Sequence, residues 1–417
     1  MAAQLKQHRQ GPDVLSKAFK SDPGPTLQRL VEAGPLVELK IPIVGQMTFA
    51  TTHSAVSELL KTDEGFCTDP KHAGRSAIVG IQWWMPRSFR LLAKNMLTTD
   101  DPDHRRLRGL VDQAFHARAV SALEQRVVDR TDQLLDELQN DPGHDIVRHL
   151  ARPLPLRVIC DLLGLPEDDQ DKFMRWMEPV SQFGGIMQLW RMLSSVGKLT
   201  NYLRETFEDR RRAPRDDMIS ALVNGDYEGQ RLTDDELLSM VFILFVAGHE
   251  TTTHLISNGV VSLLKHPDAL AKFKAHPVQF GPGMVDEVLR FDSPVQMSKP
   301  RMARQDLEFQ GRAFKRGSTL MGMLHSANWD PAVFEHPERF DITRKPNRHL
   351  AFGAGPHFCL GAGLARLEGR VAMTRLFERF PDLKLSDGFE NIAWTTRPGL
   401  RAISQLPLTL GPEGPAR

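Results

Sequence analysis

The sequence predicts a mainly α-helical fold with a minor β region, and three observations carry that expectation. A capped helical pattern of about thirty residues runs from Thr233 to Pro267, about 45 Å at 1.5 Å per residue and long enough to cross a whole domain. After about residue 100 the apolar residues recur mostly with the helical period. Extended, turn-punctuated segments are confined to residues 36–51 and to the Pro- and Gly-rich stretch beyond residue 290.

The composition is that of a globular protein. With 417 residues, 41% hydrophobic and 25% charged, the chain can bury a sizeable core. Its formal net charge of +1 argues against a nucleic-acid binder that relies on bulk positive charge. Cys67, Cys160 and Cys359 are an odd, scattered set, which fits a reducing compartment rather than a disulfide framework. The N-terminus has no apolar run of signal-peptide length, and the longest apolar stretch, Leu237–Gly248, is too short to span a bilayer. A cytoplasmic protein without a membrane span is expected. No repeat or linker divides it, so residues 1–417 read as one domain, with 1–30 as an extension loosely ordered at its start.

In chain order, "LVELKIPIVGQMTFAT" predicts two short strands broken around Pro42 and Gly45, followed by the helix "HSAVSELLKT". In the segment ending at Asn140, Leu123, Val127, Leu134, Leu135 and Leu138 fall on one helical face. Thr233 and Glu236 have capping-box spacing at the head of the long helix. The middle of that helix is apolar nearly all round, which predicts a buried central helix. After residue 290 come short apolar pieces, a glycine loop and one more helix.

The glycine loop carries the first chemistry. Phe352, Gly353, Gly355, Cys359 and Gly361 form F-G-x-G-x-x-x-C-x-G, a pattern expected by chance with a probability under roughly 10⁻⁴ at average composition. Glycines let the backbone approach a flat, bulky group or turn where φ is positive. A helix expected to start near Cys359 would favour thiolate over thiol there. Such a thiolate suits a metal ligand, a heme ligand or a nucleophile. Structural zinc wants four ligands, and although His349 and His357 stand near, no paired cysteine does. A nucleophile wants a base that the loop does not specify. A heme iron takes one protein thiolate.

A second signal interrupts the long helix. "AGHETT" (Ala247–Thr252) sets an acid and an alcohol among apolar residues, where polar groups are costly unless they bond to something.

"FGAGPHFCLG" resembles the heme-binding loop of the cytochrome P450 family, and Cys359 falls on the axial thiolate position. The resemblance spans roughly residues 30–410. It implies heme b (iron protoporphyrin IX) with Cys359 as the metal ligand, and cofactor contacts from Ala247, Phe352, Gly353, His357 and Gly361. It makes Glu250 and Thr251 the acid–alcohol pair that delivers protons during dioxygen cleavage. His104 and Arg108, on one helix face, are implied to meet a heme propionate. Lys299 and Arg301 straddle the usual place of another propionate arginine; Arg301 is preferred because "RMARQD" resembles the motif that follows. Glu287 and Arg290 of "EVLR", with Arg339 of "HPERFD", resemble the buried ion cluster that backs the cysteine loop. Trp329 stands where bacterial relatives often have Arg.

The function implied is a bacterial-type heme-thiolate monooxygenase that inserts one atom of O₂ into an apolar small molecule, by hydroxylation or epoxidation. Trp83 and Trp84 lie in the substrate-covering loop of the resemblance, and Val246, Val295 and Met297 are expected to face the substrate. The chain ends soon after the heme helix without a flavin or iron–sulfur domain. Electrons are therefore expected from a ferredoxin or flavodoxin with its NAD(P)H reductase, docking on Arg105, Arg106, Arg366 and Arg370. A monomer is expected. The rival readings are a peroxide-driven peroxygenase of the same fold and a non-enzymatic heme sensor or carrier.

Overall fold

The computed structural model describes residues 13–41, 45–75, 95–116, 123–181 and 186–414. The chain divides into two compact units: Met1–Ser76, Leu135–Ala151 and Thr251–Arg417 form the first, Ala77–Leu134 and Arg152–Glu250 the second.

The first unit opens with helices α1 (Lys17–Ser21) and α2 (Gly24–Glu32). Ser16 caps α1 by accepting the Phe19 N–H at 3.1 Å. Strands β1 (Leu36–Ile41) and β2 (Gly45–Ala50) pair antiparallel from Leu36↔Ala50 to Ile41↔Gly45. Helix α3 (His53–Lys61) follows, capped by Thr52, and then β3 (Phe66–Cys67). Both strands and the helix stand where the sequence places them. Neighbours on β2 face opposite ways, as the two-residue period requires: Phe49 joins a cluster with Phe19, Leu27, Leu39, Met323 and Trp329, while Ala50 joins one with Val56, Leu59, Phe66, Leu320 and Leu350. Full burial of each large apolar side chain contributes about 1.5–3 kcal/mol.

The second unit is helical: α4 (Asp103–His116), most of α5 (Glu124–Asn140), α6 (Pro153–Leu163), α7 (Glu167–Ser181), α8 (Ile186–Arg212), α9 (Met218–Asn224) and the first half of α10 (Asp234–Lys265). All five residues of the apolar face read from the sequence are buried, Val127, Leu134, Leu135 and Leu138 on α5 and Leu123 just before it. Arg130 on α5 reaches both carboxylate oxygens of Asp161 on α6 at 3.2 Å. Phe173 on α7 stacks on Phe245 of α10, with ring centroids 5.2 Å apart. The capping box forms as expected: Glu236 N–H donates to Thr233 Oγ1 at 3.3 Å, and Thr233 N–H donates to Glu236 Oε2 at 2.9 Å.

The first unit then resumes with the rest of α10, α11 (Pro267–Ala275) and α12 (Pro277–Phe291). Strands β4 (Arg301–Ala303) and β7 (Thr319–Gly322) complete a five-stranded sheet in the order β1-β2-β7-β4-β3, with β2 and β7 parallel and the other pairs antiparallel. Between them β5 (Leu307–Phe309) and β6 (Arg312–Phe314) form their own hairpin. Helices α13 (Leu324–Ala327) and α14 (Ala362–Arg379) and the pair β8 (Lys384–Leu385) and β9 (Leu408–Thr409) finish the chain. Helix makes up 55% of the structure, as a mainly α fold requires.

Candidate active site

Leu350 is buried in the cluster behind the sheet, and its N–H donates to Asn328 Oδ1 at 2.6 Å, which fixes where the glycine loop leaves the core. Gly353 and Gly355 sit at φ 72° and 71°, conformations that favour glycine. A Cβ at Gly355 would also stand 2.6 Å from the Leu60 carbonyl oxygen. Cys359 N–H closes the loop on Phe352 O at 2.9 Å. Helix α14 begins at Ala362, later than the sequence reading placed it. The Cys359 N–H is spent on Phe352, and Gly361 takes the N-cap position.

Cys67 and Cys160 are fully buried, whereas Cys359 is half-buried. The Cys67 thiol donates to Met302 O at 3.3 Å, and burial pushes the Cys160 thiol well above its ordinary range. Cys359 is therefore the accessible thiol of the three. Phe352, Gly353, His357 and Gly361 around it are half-buried as well. Among the described residues no three His, Cys, Asp or Glu side chains form a metal-holding group.

On α10 the expected burial holds from Thr252 to Leu263, all buried, but not one turn earlier. There Val246, Glu250 and Thr251 are half-buried and Ala247 is exposed. An accessible alanine on an apolar helix is a surface that a flat group could cover. His249 between them is buried, and that burial, helped by the charge of Arg152, lowers its imidazole to about 4.

Behind the loop, Glu287 and Arg290 are fully buried. Arg290 Nε and Nη2 donate to Glu287 at 2.9 and 2.7 Å, and its remaining N–H groups reach the carbonyls of Asn328, Pro337 and Arg339 at 3.1, 2.9 and 2.9 Å. Arg339 corrects the sequence reading: it offers the cluster its carbonyl, while its guanidinium is exposed. Phe340 beside it takes the inward place. The cation that joins Glu287 is Arg344, 3.3 Å away.

The residues read from the sequence as propionate contacts each belong to one unit. His104 and Arg108 share α4 in the second unit; His104 is buried 3.5 Å from Asp101, and Arg108 pairs with Asp112 at 3.1 Å. Arg301 is buried on β4, with Nη2 on Asp63 at 2.7 Å and Phe66 O at 3.2 Å. Its buried Nε has no hydrogen-bond partner among the described residues. Lys299 remains accessible, yet enough protein surrounds it to lower its ammonium to about 8. An accessible thiol and a buried guanidinium with one N–H unspent fit a cofactor that bears a metal and carboxylates.

Of the substrate-facing residues, Val295 is half-buried and bridged to Leu400. Met297 corrects the sequence reading, because it is a core residue beside Phe49 and Met323. Hydrogen bonds of 2.7 Å from Gln296 N–H to Gly399 O and from Ser298 N–H to Gly322 O pin the segment on both sides and turn Met297 inward. Trp83 and Trp84 lie outside the described residues. Of the arginines read as a docking face, Arg105 pairs with Asp101, Arg106 with Glu236 and Arg366 with Asp286. Sequence reasoning missed Glu368, a buried carboxyl on α14 that burial raises to about 8.

The family described as Cytochrome P450 matches residues 46–276 and 280–391. The polyketide biosynthesis cytochrome P450 PksS of Bacillus subtilis (strain 168) is 41% identical over 320 residues, covering 76% of this chain and 78% of that protein. A vitamin D(3) 25-hydroxylase of Pseudonocardia autotrophica is 36% identical over 406 residues, 96% of each. The solved structure of the Bacillus subtilis 168 PksS matches with TM-score 0.85 at 35% identity, covering 96% of this chain and 99% of that one.

Proposed function

The chain belongs to the cytochrome P450 family of heme b oxidoreductases, and on that premise we propose that it hydroxylates or epoxidises a large apolar molecule with electrons from separate proteins. The observation that carries this reading is Cys359, the accessible thiol at the exit of a positive-φ glycine loop. Bound heme supplies the dioxygen chemistry, and a thiolate ligand favours O–O cleavage.

The chain's own residues do the rest. Cys359 would hold the metal, with Phe352, Gly353, His357 and Gly361 flanking it, and Ala247 would give the flat group a surface. Arg301 would give its unspent Nε–H to a carboxylate of the bound group, and His104 and Arg108 would be its further polar contacts in this reading. Glu250 and Thr251 stand where α10 becomes accessible, so an acid and a hydroxyl can pass protons there. Val246 and Val295 offer apolar contact to the substrate. One relative is named for polyketide biosynthesis and another for 25-hydroxylation of vitamin D(3), which favours a polyketide- or steroid-sized substrate.

A ferredoxin or flavodoxin with its NAD(P)H reductase is the electron source in this reading. Its docking rests on more than Arg105, Arg106 and Arg366, whose charges already meet carboxylates. Residues 1–417 act as one catalytic monomer in the cytoplasm; among the described residues no helix is long and apolar enough to cross a membrane.

The test is the absorption spectrum of the purified ferric protein, titrated with a panel of polyketides and steroids. A thiolate-type spectrum that shifts from low to high spin with a member of the panel is expected. A Cys359→Ala variant that keeps the thiolate-type spectrum overturns the ligand assignment.

A further inference from the structure

Asp286, one residue before the buried Glu287, lies on α12 but reaches both arms of the cysteine loop. Its Oδ1 accepts Nε–H of Arg366 at 2.7 Å and Nε2 of His349 at 3.3 Å. The upstream arm is fixed further, because Ala351 N–H donates to His349 Nδ1 at 3.3 Å. With Nδ1 accepting, Nε2 must carry the proton that Asp286 takes, so one tautomer satisfies both bonds. On the downstream arm the Arg366 guanidinium lies over the Phe352 ring, 4.6 Å from its centroid. Phe352 is the residue whose carbonyl receives the Cys359 N–H. The His349 side chain is almost fully buried, while Asp286 and Arg366 are partly open. Burial alone would raise the Asp286 carboxyl, but the hydrogen bonds from His349 and Arg366 and the guanidinium charge hold it below the ordinary carboxylate range.

We propose that Asp286 is a positioning residue for the heme thiolate: it ties His349 and Arg366 across the base of the loop and so holds Phe352 and Cys359 in ligating geometry. The proposal rests on the assignment of Cys359 as the ligand. Glu287 cannot do this work, since its oxygens face Arg290, Asp341 N–H, Arg344 and Asn347. Two adjacent carboxylates on one helix thus serve different segments, Glu287 the 337–347 stretch and Asp286 the loop itself.

The experiment uses the heme-loaded protein and the variants Asp286→Asn, Asp286→Glu and Arg366→Gln. The wild-type ferrous–carbonyl spectrum is recorded first, and a thiolate-type band there secures the ligand independently of the tie. Asp286→Asn is isosteric but leaves two donors facing an uncharged amide. It is expected to lose heme to apomyoglobin about 10-fold faster, in the range usual for residues that orient a metal ligand. It should also raise the share of the carbonyl complex that lacks the thiolate band. In heme-free protein, amide exchange across residues 350–359 should quicken. Asp286→Glu should restore much of all three readouts. If Asp286→Asn does not fold, Arg366→Gln, at a partly open position, gives the same test with a smaller effect. Combined in one chain, the two substitutions should cost less than the sum of their separate effects. Wild-type heme retention, carbonyl spectrum and exchange in both variants overturn the proposal, and so does a loss of thermal stability with the carbonyl spectrum intact.

Discussion

Glu287→Gln tests how far the region behind the cysteine loop depends on one charge. The substitution keeps the shape of the side chain and removes its charge. It strands Arg290, which has no solvent contact, and it places an amide NH₂ where donors from Asp341, Arg344 and Asn347 now converge. Removing one member of a fully buried pair costs about 3–5 kcal/mol, because the partner charge stays buried. At about 2.1 cal/mol/K of unfolding entropy per residue, a chain of 417 residues that melts as a whole loses about 3–6 °C in Tm. Urea unfolding, followed by tryptophan fluorescence and by loss of the heme band, measures the cost directly. The double variant Glu287→Gln with Arg290→Met should recover part of the loss, since the stranded charge is gone. A loss below about 1 kcal/mol for the single variant would refute the reasoning. It would mean that the carbonyls of Asn328, Pro337 and Arg339 satisfy Arg290 without the carboxylate.

The other expectations concern the relay, a packed pair and two buried titrating groups. Thr251→Ala should keep the thiolate spectrum while more reducing equivalents end as hydrogen peroxide; unchanged product per NAD(P)H consumed would sink the relay. Gly24→Ala sets a Cβ 3.0 Å from the Trp329 ring, which cannot retreat because its Nε1 is bonded to Phe291 O at 3.0 Å. The cost should be about 1–3 kcal/mol, relieved by Trp329→Leu, and equal unfolding curves would contradict it. His325 is fully buried and neutral, lowered to about 4 first by burial. The unfolded chain binds its proton near pH 6.5, so the stabilisation is present above 6.5 and is lost as pH falls from there towards about 4, by up to about 3 kcal/mol. Urea midpoints at pH 5 and 7 should differ less in His325→Asn than in the parent. Glu368, raised to about 8, has the opposite sign: its contribution is complete below about 4.5 and is lost as pH rises through 8, so Glu368→Gln should flatten the alkaline decline. An unchanged slope between pH 6 and 9 would count against it.

What the sequence made legible was local. The capping box at Thr233 and Glu236, the buried face of α5 and the glycines of the cysteine loop all report on neighbours within one or two turns, and each stands where it was read. The misreadings involve partners far apart in sequence. Arg339 fits a motif spacing, yet whether its guanidinium reaches Glu287 or its carbonyl accepts from Arg290 depends on the turn around His336, and Arg344 returns to complete the cluster. Met297 lies next to Val295 in any pattern, but hydrogen bonds to Gly399 and Gly322 send it to the core. The tie from Asp286 to His349 bridges 63 positions and leaves no periodic trace. Trp329 becomes intelligible only beside Gly24, the residue small enough to admit its ring.

Lys20 on α1 has its ammonium on Gln296 and on Leu400 O at 2.6 Å, and its own carbonyl accepts from Arg401. Arg401 in turn pairs with Asp292 and lies 3.8 Å over the Trp394 ring. These bonds set a timetable. Lys20 leaves the ribosome 381 residues ahead of Arg401, and at about 5–20 residues per second it waits about 20–80 s for that partner. Phe19, Leu27 and Leu30 likewise pack with Met297, Met323 and Trp329, so their cluster cannot close until that far later stretch has been made. Helix α1 is therefore made well before the residues that fix it, and its apolar side chains wait uncovered for them during synthesis.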